Sequence, residues 1–365
     1  MSWRLFRFSL LVSTVSFLLV LSLGLILAEA PAASALPTPT SPLKPGIWTS
    51  AAELAKVPMA GPGWEAVLHA ADVADPAYAT VANQNSNNNV DILAAGIVYA
   101  RTGEKKYRDK VVAAAEKLAA GGKPAENTLA WARETGAYVM AADLAGYRSP
   151  QFETWLRDMA EVYVASDGRT LRKMFEARPN NWGTNAFGAL AAIYAYLGDT
   201  KALAEIRGYI VQGITGPNPG YVFGEDLSWH ADPANPRLIN PKGAVKEGLN
   251  IDGFVPDDMR RGGSFKNPPA YTNYAWGTLQ GFVAGARILE RQGMSIWDVG
   301  DKALYRAVYA LQVRLGEKDP QWRAEGDDLW MLPFLDKAYG TSWSGDQMVW
   351  GAGKCAGWAY VTLAP

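Results

Sequence analysis

Residues 178–210 read RPNNWGTNAFGALAAIYAYLGDTKALAEIRGYI. A small, apolar run from Ala186 to Leu197 stops at Gly198, and a polar-faced helical pattern restarts as DTKALAEIRGYI. Glycine accepts the left-handed conformation that ends many helices, so the stretch reads as helix, tight turn, helix. The same grammar recurs along the chain. Val90 to Arg101 stops at Gly103 and restarts as EKKYRDKVVAAAEKLAA, and Tyr274 to Arg291 stops at Gly293 and restarts at MSIWD. Thr128 to Gly146 and Gln151 to Val164 make another pair, and Ser50-Ala51-Ala52-Glu53 has the capping-box pattern. No strand-like alternation precedes residue 216. Repeated αα-hairpins predict an all-α fold, a closed or incomplete (α/α) toroid whose long inner-end loops surround a central groove.

Outward from this stretch, the N-terminus reads as an export signal. Arg4 and Arg7 precede an apolar run from Phe8 to Ala28, and Ala33-Ser34-Ala35 offers small residues for cleavage. Residues 1–35 are thus expected to be a signal peptide, with an uncleaved membrane anchor as the alternative. Residues 36–47, rich in Pro and Thr, are expected to be a linker, and 48–365 one secreted or periplasmic domain. The chain has a single cysteine, Cys355, and two histidines, His69 and His230, so it predicts no intrachain disulfide, no metal cluster and no cofactor. Its 35 basic and 36 acidic residues give a net charge of −1, which argues against an avid nucleic-acid binder and leaves anion recognition to a local cluster. A monomer is expected.

Pro217 to Asn267 breaks the helical pattern, and a loop that long in a packed domain is usually functional. It contains Trp229, His230, Arg260 and Arg261. Asn267 before Pro268 and Pro269 reads as a helix start, which would put Tyr271 in the first turn and Tyr274 on the same face. On the 178–210 stretch, Asn181 and Asn185 are four apart and share a face that Gly188 and Ala192 continue as a narrow track. Asn180 and Trp182 flank the first of these. Amides bind a carboxylate or sugar hydroxyls without adding charge. Fourteen tryptophans and sixteen tyrosines favour a carbohydrate ligand over other small molecules, because aromatic faces stack on sugar rings.

Asn180-Asn181-Trp182 is similar to the Asn-Asn-His element of the alginate lyase family. Ala270-Tyr271-Thr272-Asn273-Tyr274-Ala275 resembles that family's Tyr-x-Asn-Tyr-Ala element, preceded by an arginine as Arg260 or Arg261 precedes it here. Residues 129–147, LAWARETGAYVMAADLAGY, and the RTG turn at 101–103 add weaker similarity. The resemblance implies an exported lyase on an incomplete α/α toroid, acting on an anionic polysaccharide by β-elimination at a uronate.

A proton beside a carboxylate becomes acidic once that carboxylate is neutralised, and elimination then needs a base and an acid. By resemblance, Asn181 and Arg261 (or Arg260) would neutralise the carboxylate and Tyr271 would transfer the proton. Tyr274, Asn180, Asn185, Trp182 and Trp229 would contact substrate. Trp182 stands where the family carries histidine and cannot take a proton. His230 is the expected replacement; without one, Tyr271 would serve as both base and acid in a syn elimination. Two other classes are open. A glycoside hydrolase would draw two carboxylates from Glu134, Asp143, Asp257, Asp258, Asp327 and Asp328, although Asp257 and Asp258 are expected to pair with Arg260 and Arg261. A non-catalytic polysaccharide-binding or envelope-scaffold toroid would keep the ring without the chemistry.

Overall fold

Small residues decide which helices lie inside. The computed structural model describes residues 46–345 and 351–363; the expected leader, and all but the end of the expected linker, lie outside the described residues. In chain order the helices are α1 (Ala51–Leu54), α2 (Pro62–Val73), α3 (Asn88–Thr102), α4 (Lys105–Ala120), α5 (Thr128–Leu144) and α6 (Pro150–Arg157). They continue with α7 (Leu171–Ala177), α8 (Asn181–Leu197), α9 (Thr200–Thr215), α10 (Pro256–Met259), α11 (Tyr274–Arg291), α12 (Val299–Tyr309), α13 (Leu332–Tyr339) and α14 (Ala359–Thr362). The long loop contributes a two-stranded antiparallel ribbon, β1 (Val245–Lys246) with β2 (Leu249–Asn250). Gly103 and Gly198 end α3 and α8 at φ of 75° and 74°, as the sequence predicts. The capping box at Ser50 and Glu53 also forms.

Helices α3, α5, α8 and α11 pack side by side as an inner layer, with α4, α7, α9 and α12 outside them. The inner helices are apolar nearly all round; every residue of α8 from Gly183 to Tyr196 is buried, as is every residue of α11 from Ala275 to Leu289. They run parallel. Asn89 near the start of α3 meets Arg133 near the start of α5, while Gly96 further along meets Ala141 further along. The α8–α11 seam is the tightest: a Cβ on Gly281 would stand 2.3 Å from the Thr184 carbonyl oxygen. Because the layer is parallel, its helix N-termini gather at one end, where their dipoles favour negative charge.

Between α11 and α2, among the described residues, no regular hairpin completes the ring; α13 and α14 fill the gap. Trp48 packs on Phe334 with ring centroids 4.9 Å apart, the Thr49 hydroxyl donates to the Thr362 carbonyl (3.3 Å), and the Trp358 indole donates to the Val90 carbonyl (2.8 Å). At the far end of α11, Arg291 forms a two-toothed bridge to Glu53 (2.7 and 2.8 Å).

Two local expectations are corrected. Helix α11 starts at Tyr274 rather than at Asn267, so Tyr271 lies in the non-helical approach and does not share a helix face with Tyr274. The approach is held by a distant contact: the bare Cα of Gly262 lies against the Ala270 carbonyl, 2.7 Å from where a Cβ would stand. Similarly, Met294–Asp298 is not helical, and the outer helix begins at Val299.

Candidate active site

The start of α8 is welded to the long loop by two neighbouring carboxylates. Asn180 is the N-cap, its side-chain oxygen accepting from the Trp182 backbone N–H (3.1 Å), and its Nδ2 donates to Asp257 Oδ2 (2.7 Å). The Asn181 backbone N–H donates to Asp258 Oδ2 (2.8 Å), which also accepts from the Thr278 hydroxyl of α11. Asp257 also accepts from Arg260, through Nε (2.9 Å) and Nη2 (3.5 Å), and from the Gly224 N–H (2.8 Å). Burial pushes the Asp258 carboxyl up to about 7, despite those donors. The acids thus serve as anchors. Asp257 pairs with Arg260 as expected, but Asp258 makes no ion pair with Arg261 among the described residues.

That arrangement separates the two arginines. Arg260 is held by Asp257, whereas Arg261 is exposed and lays its guanidinium 4.0 Å from the centre of the Tyr274 ring. Tyr271 and Tyr274 are the exposed aromatics of this lip, at 36% and 42% accessibility. The Tyr271 ring meets Trp322 edge-on at 5.4 Å, and its phenol lies 3.4 Å from Asn273 Oδ1. Burial, then the charges of Glu325, Asp328 and Asp319, raise the Tyr271 phenol above its ordinary value.

Several other expected contacts lie in the interior. Asn185 is buried and its Nδ2 bridges the Asn181 carbonyl (2.7 Å) and the Gly277 carbonyl of α11 (3.1 Å), so the predicted amide face belongs to the α8–α11 seam. Asn181 is buried in the same seam, with Oδ1 unpartnered and Nδ2 near Gly277. Trp229 is 1% exposed, packs on Phe254 and Phe265, and donates its indole N–H to the Gly263 carbonyl (2.8 Å). It is a core residue of the loop and offers no face to a sugar. His230 is likewise 2% exposed, edge-on to Phe223, with neither ring nitrogen bonded; burial pulls it down to about 4. No contact joins His230 to Tyr271, Arg261 or Asn181. Trp182 is half-buried.

The floor holds one residue that the sequence did not single out, Arg133, beside two of the acids weighed for hydrolysis, Glu134 and Asp328. The Arg133 guanidinium of α5 comes within 3.9 Å of the Cβ position of Gly277, beside Asn181 Nδ2 at 3.7 Å, and makes no ion pair among the described residues. The next residue, Glu134, is fully buried with both carboxyl oxygens unpartnered, and burial pushes it up to about 9. Asp328 accepts from Gln280 Nε2 of α11 (2.8 Å), and burial pushes it up to about 7. Asp143 lies elsewhere, accepting from the Ile47 N–H (2.8 Å). Burial thus disfavours the charged form of both acids beside Arg133. Arg133 sits in a run, LAWARETG, that reads only as buried helix; its role is set by α8 and α11, which sequence spacing does not reveal.

The alginate lyase family model matches residues 82–320, about two thirds of the chain. The chain belongs to the alginate lyase family. Among solved structures it is similar to alginate lyase A1-III from Sphingomonas species A1, with 13% identity over 76% of this chain and 75% of that one and a TM-score of 0.47. No curated protein sequence matches it. The alginate lyase match takes in Asn180, Asn181, Arg261 and Tyr271 and stops short of Asp327, Asp328 and the C-terminal segment. No described helix of this alginate lyase family member is long and apolar enough to cross a membrane.

Proposed function

We propose that this protein is an exported polysaccharide lyase that cleaves a uronate-containing polymer by β-elimination. The observation that carries the reading is the lip formed by the 260–262 turn against Ala270–Tyr271: it presents an arginine that has no acid partner among the described residues and lies over Tyr274, on the same lip as the exposed Tyr271 phenol. Arg261 neutralises the uronate carboxylate, which makes the adjacent proton acidic, and Arg133 offers a further donor at the floor. Arg260 positions the turn through Asp257. With His230 in the loop interior, Tyr271 takes the proton and returns it to the leaving glycosidic oxygen in a syn elimination.

A second reading has its own observation. Trp182 replaces the family's histidine and His230 does not substitute for it, which favours a polysaccharide-binding toroid without turnover. Incubation with alginate, polygalacturonate and hyaluronan separates the two. The lyase reading expects near-ultraviolet absorbance from a new unsaturated uronate. Binding without that product, unchanged in Tyr271→Phe, overturns it in favour of the binder, and new reducing ends without absorbance point to hydrolysis.

A further inference from the structure

Beyond the residues that match the family, a cation reaches the groove floor. Gly351–Trp358 folds as a tight hairpin, with Ala352 bridged to Gly357 and the Gly353 N–H donating to the Ala356 carbonyl (2.8 Å), so Lys354 and Cys355 form its tip. The tip is clamped from the inner helices. The Lys354 N–H donates to Gln280 Oε1 of α11 (3.1 Å), and its carbonyl accepts from Asn89 Nδ2 of α3 (2.9 Å). Behind it the Cys355 carbonyl lies 3.6 Å from the Cβ position of Gly136 on α5. The hairpin therefore sits across the gap between the first and last inner helices with its backbone fixed.

The Lys354 side chain remains 26% exposed, and its Nζ is 3.9 Å from Asp327 Oδ2, too long for a hydrogen bond. Such a partly exposed pair contributes little to stability, which does not account for a backbone held at both ends. The other nearby acids, Glu134 and Asp328, are buried, and burial pushes them up to about 9 and about 7. We propose that Lys354 is a substrate-binding residue that pairs with a uronate carboxylate, making the C-terminal hairpin part of the groove. This rests on the reading of the groove as an anionic-polysaccharide site. The ammonium joins Arg133 as a second cation beside Glu134.

The test measures affinity of the full chain for oligosaccharides of alginate, polygalacturonate and hyaluronan by calorimetry, with KM wherever turnover is seen. Lys354→Met is expected to weaken binding about tenfold or more, the loss of a charge-assisted contact. Lys354→Arg should retain most of the affinity, and Asp327→Asn should tighten it by releasing the ammonium. If Lys354→Met and Asp327→Asn both shift the melting temperature and leave affinity and KM unchanged, the pair is structural and the inference falls. Unsaturated product from the wild type with an unaltered KM in Lys354→Met overturns this inference and leaves the lyase reading standing. Lys354-dependent binding without product does the reverse. Absence of binding to all three polymers overturns both.

Discussion

The Arg261 guanidinium lies 4.0 Å from the centre of the Tyr274 ring, on the lip that carries Tyr271. An exposed cation–π contact is worth about 0.5–1 kcal/mol, so its removal barely affects folding. Arg261→Ala is therefore expected to cost about 10²-fold in turnover of a uronate polymer, the scale of losing one charge-stabilising donor. Its urea unfolding midpoint should stay close to wild type.

Arg260 gives the opposite pattern. Asp257 is buried and anchors Asn180, Gly224 and Arg260 together. Arg260→Ala leaves that carboxylate without its cation and should cost about 3 kcal/mol, read from urea unfolding. An unfolding curve indistinguishable from wild type would refute the anchoring role.

Tyr271 should show its role in both rate and pH. Tyr271→Phe removes only the hydroxyl, so a loss of about 10²–10⁴-fold in turnover with affinity retained is the expected result. The phenol is raised above its ordinary value near 10 by burial and by neighbouring acids. Its basic form therefore grows only at alkaline pH, and initial rates should climb through pH 9 to 10 rather than level off near neutrality.

At Gly281 the α8–α11 seam has no room for a methyl. Gly281→Ala would drive a Cβ against the Thr184 carbonyl, where 2.3 Å is available. A loss of about 1–3 kcal/mol is expected from overpacking. Gly208→Ala, where a Cβ meets nothing within 4 Å, is the control in the same thermal melt.

Glu134 makes a signed prediction about pH. Its folded value of about 9 lies above the 4.5 of an exposed glutamate, because burial disfavours the charged form. The folded protein keeps this proton through a window in which the unfolded chain has released it. Stability should therefore fall as pH rises from about 4.5 to about 9. Glu134→Gln cannot titrate, so its stability should decline less across that window, measured by chemical unfolding at each pH.

Much of the fold was legible because its signals are local. The runs ending at Gly103 and Gly198 mark helix boundaries by sequence alone. The start of α11 was not legible: Asn267 before two prolines reads as a cap, but the helix begins at Tyr274, whose N–H donates to the Thr272 hydroxyl (3.3 Å) and not to an asparagine cap. In the site, the arginine pair and Tyr271 were visible as a cluster, but which arginine is free depends on Asp257 and on Asn180, 77 positions away. Asn185 misled for a related reason: a small, polar helix face fits a seam as well as a groove. Arg133 and Lys354 carry no local signal, since their surroundings come from helices distant in sequence.

The ring is fastened where its two ends meet, with Trp48 and Thr49 lodged against Phe334 and Thr362. A chain threaded through a membrane N-terminus first would thus have its inner helices in place well before the last thirty or so residues emerged. Those late residues bring both the closure and the Lys354 hairpin, so the junction between the first and last inner helices would be among the last parts of the molecule to form.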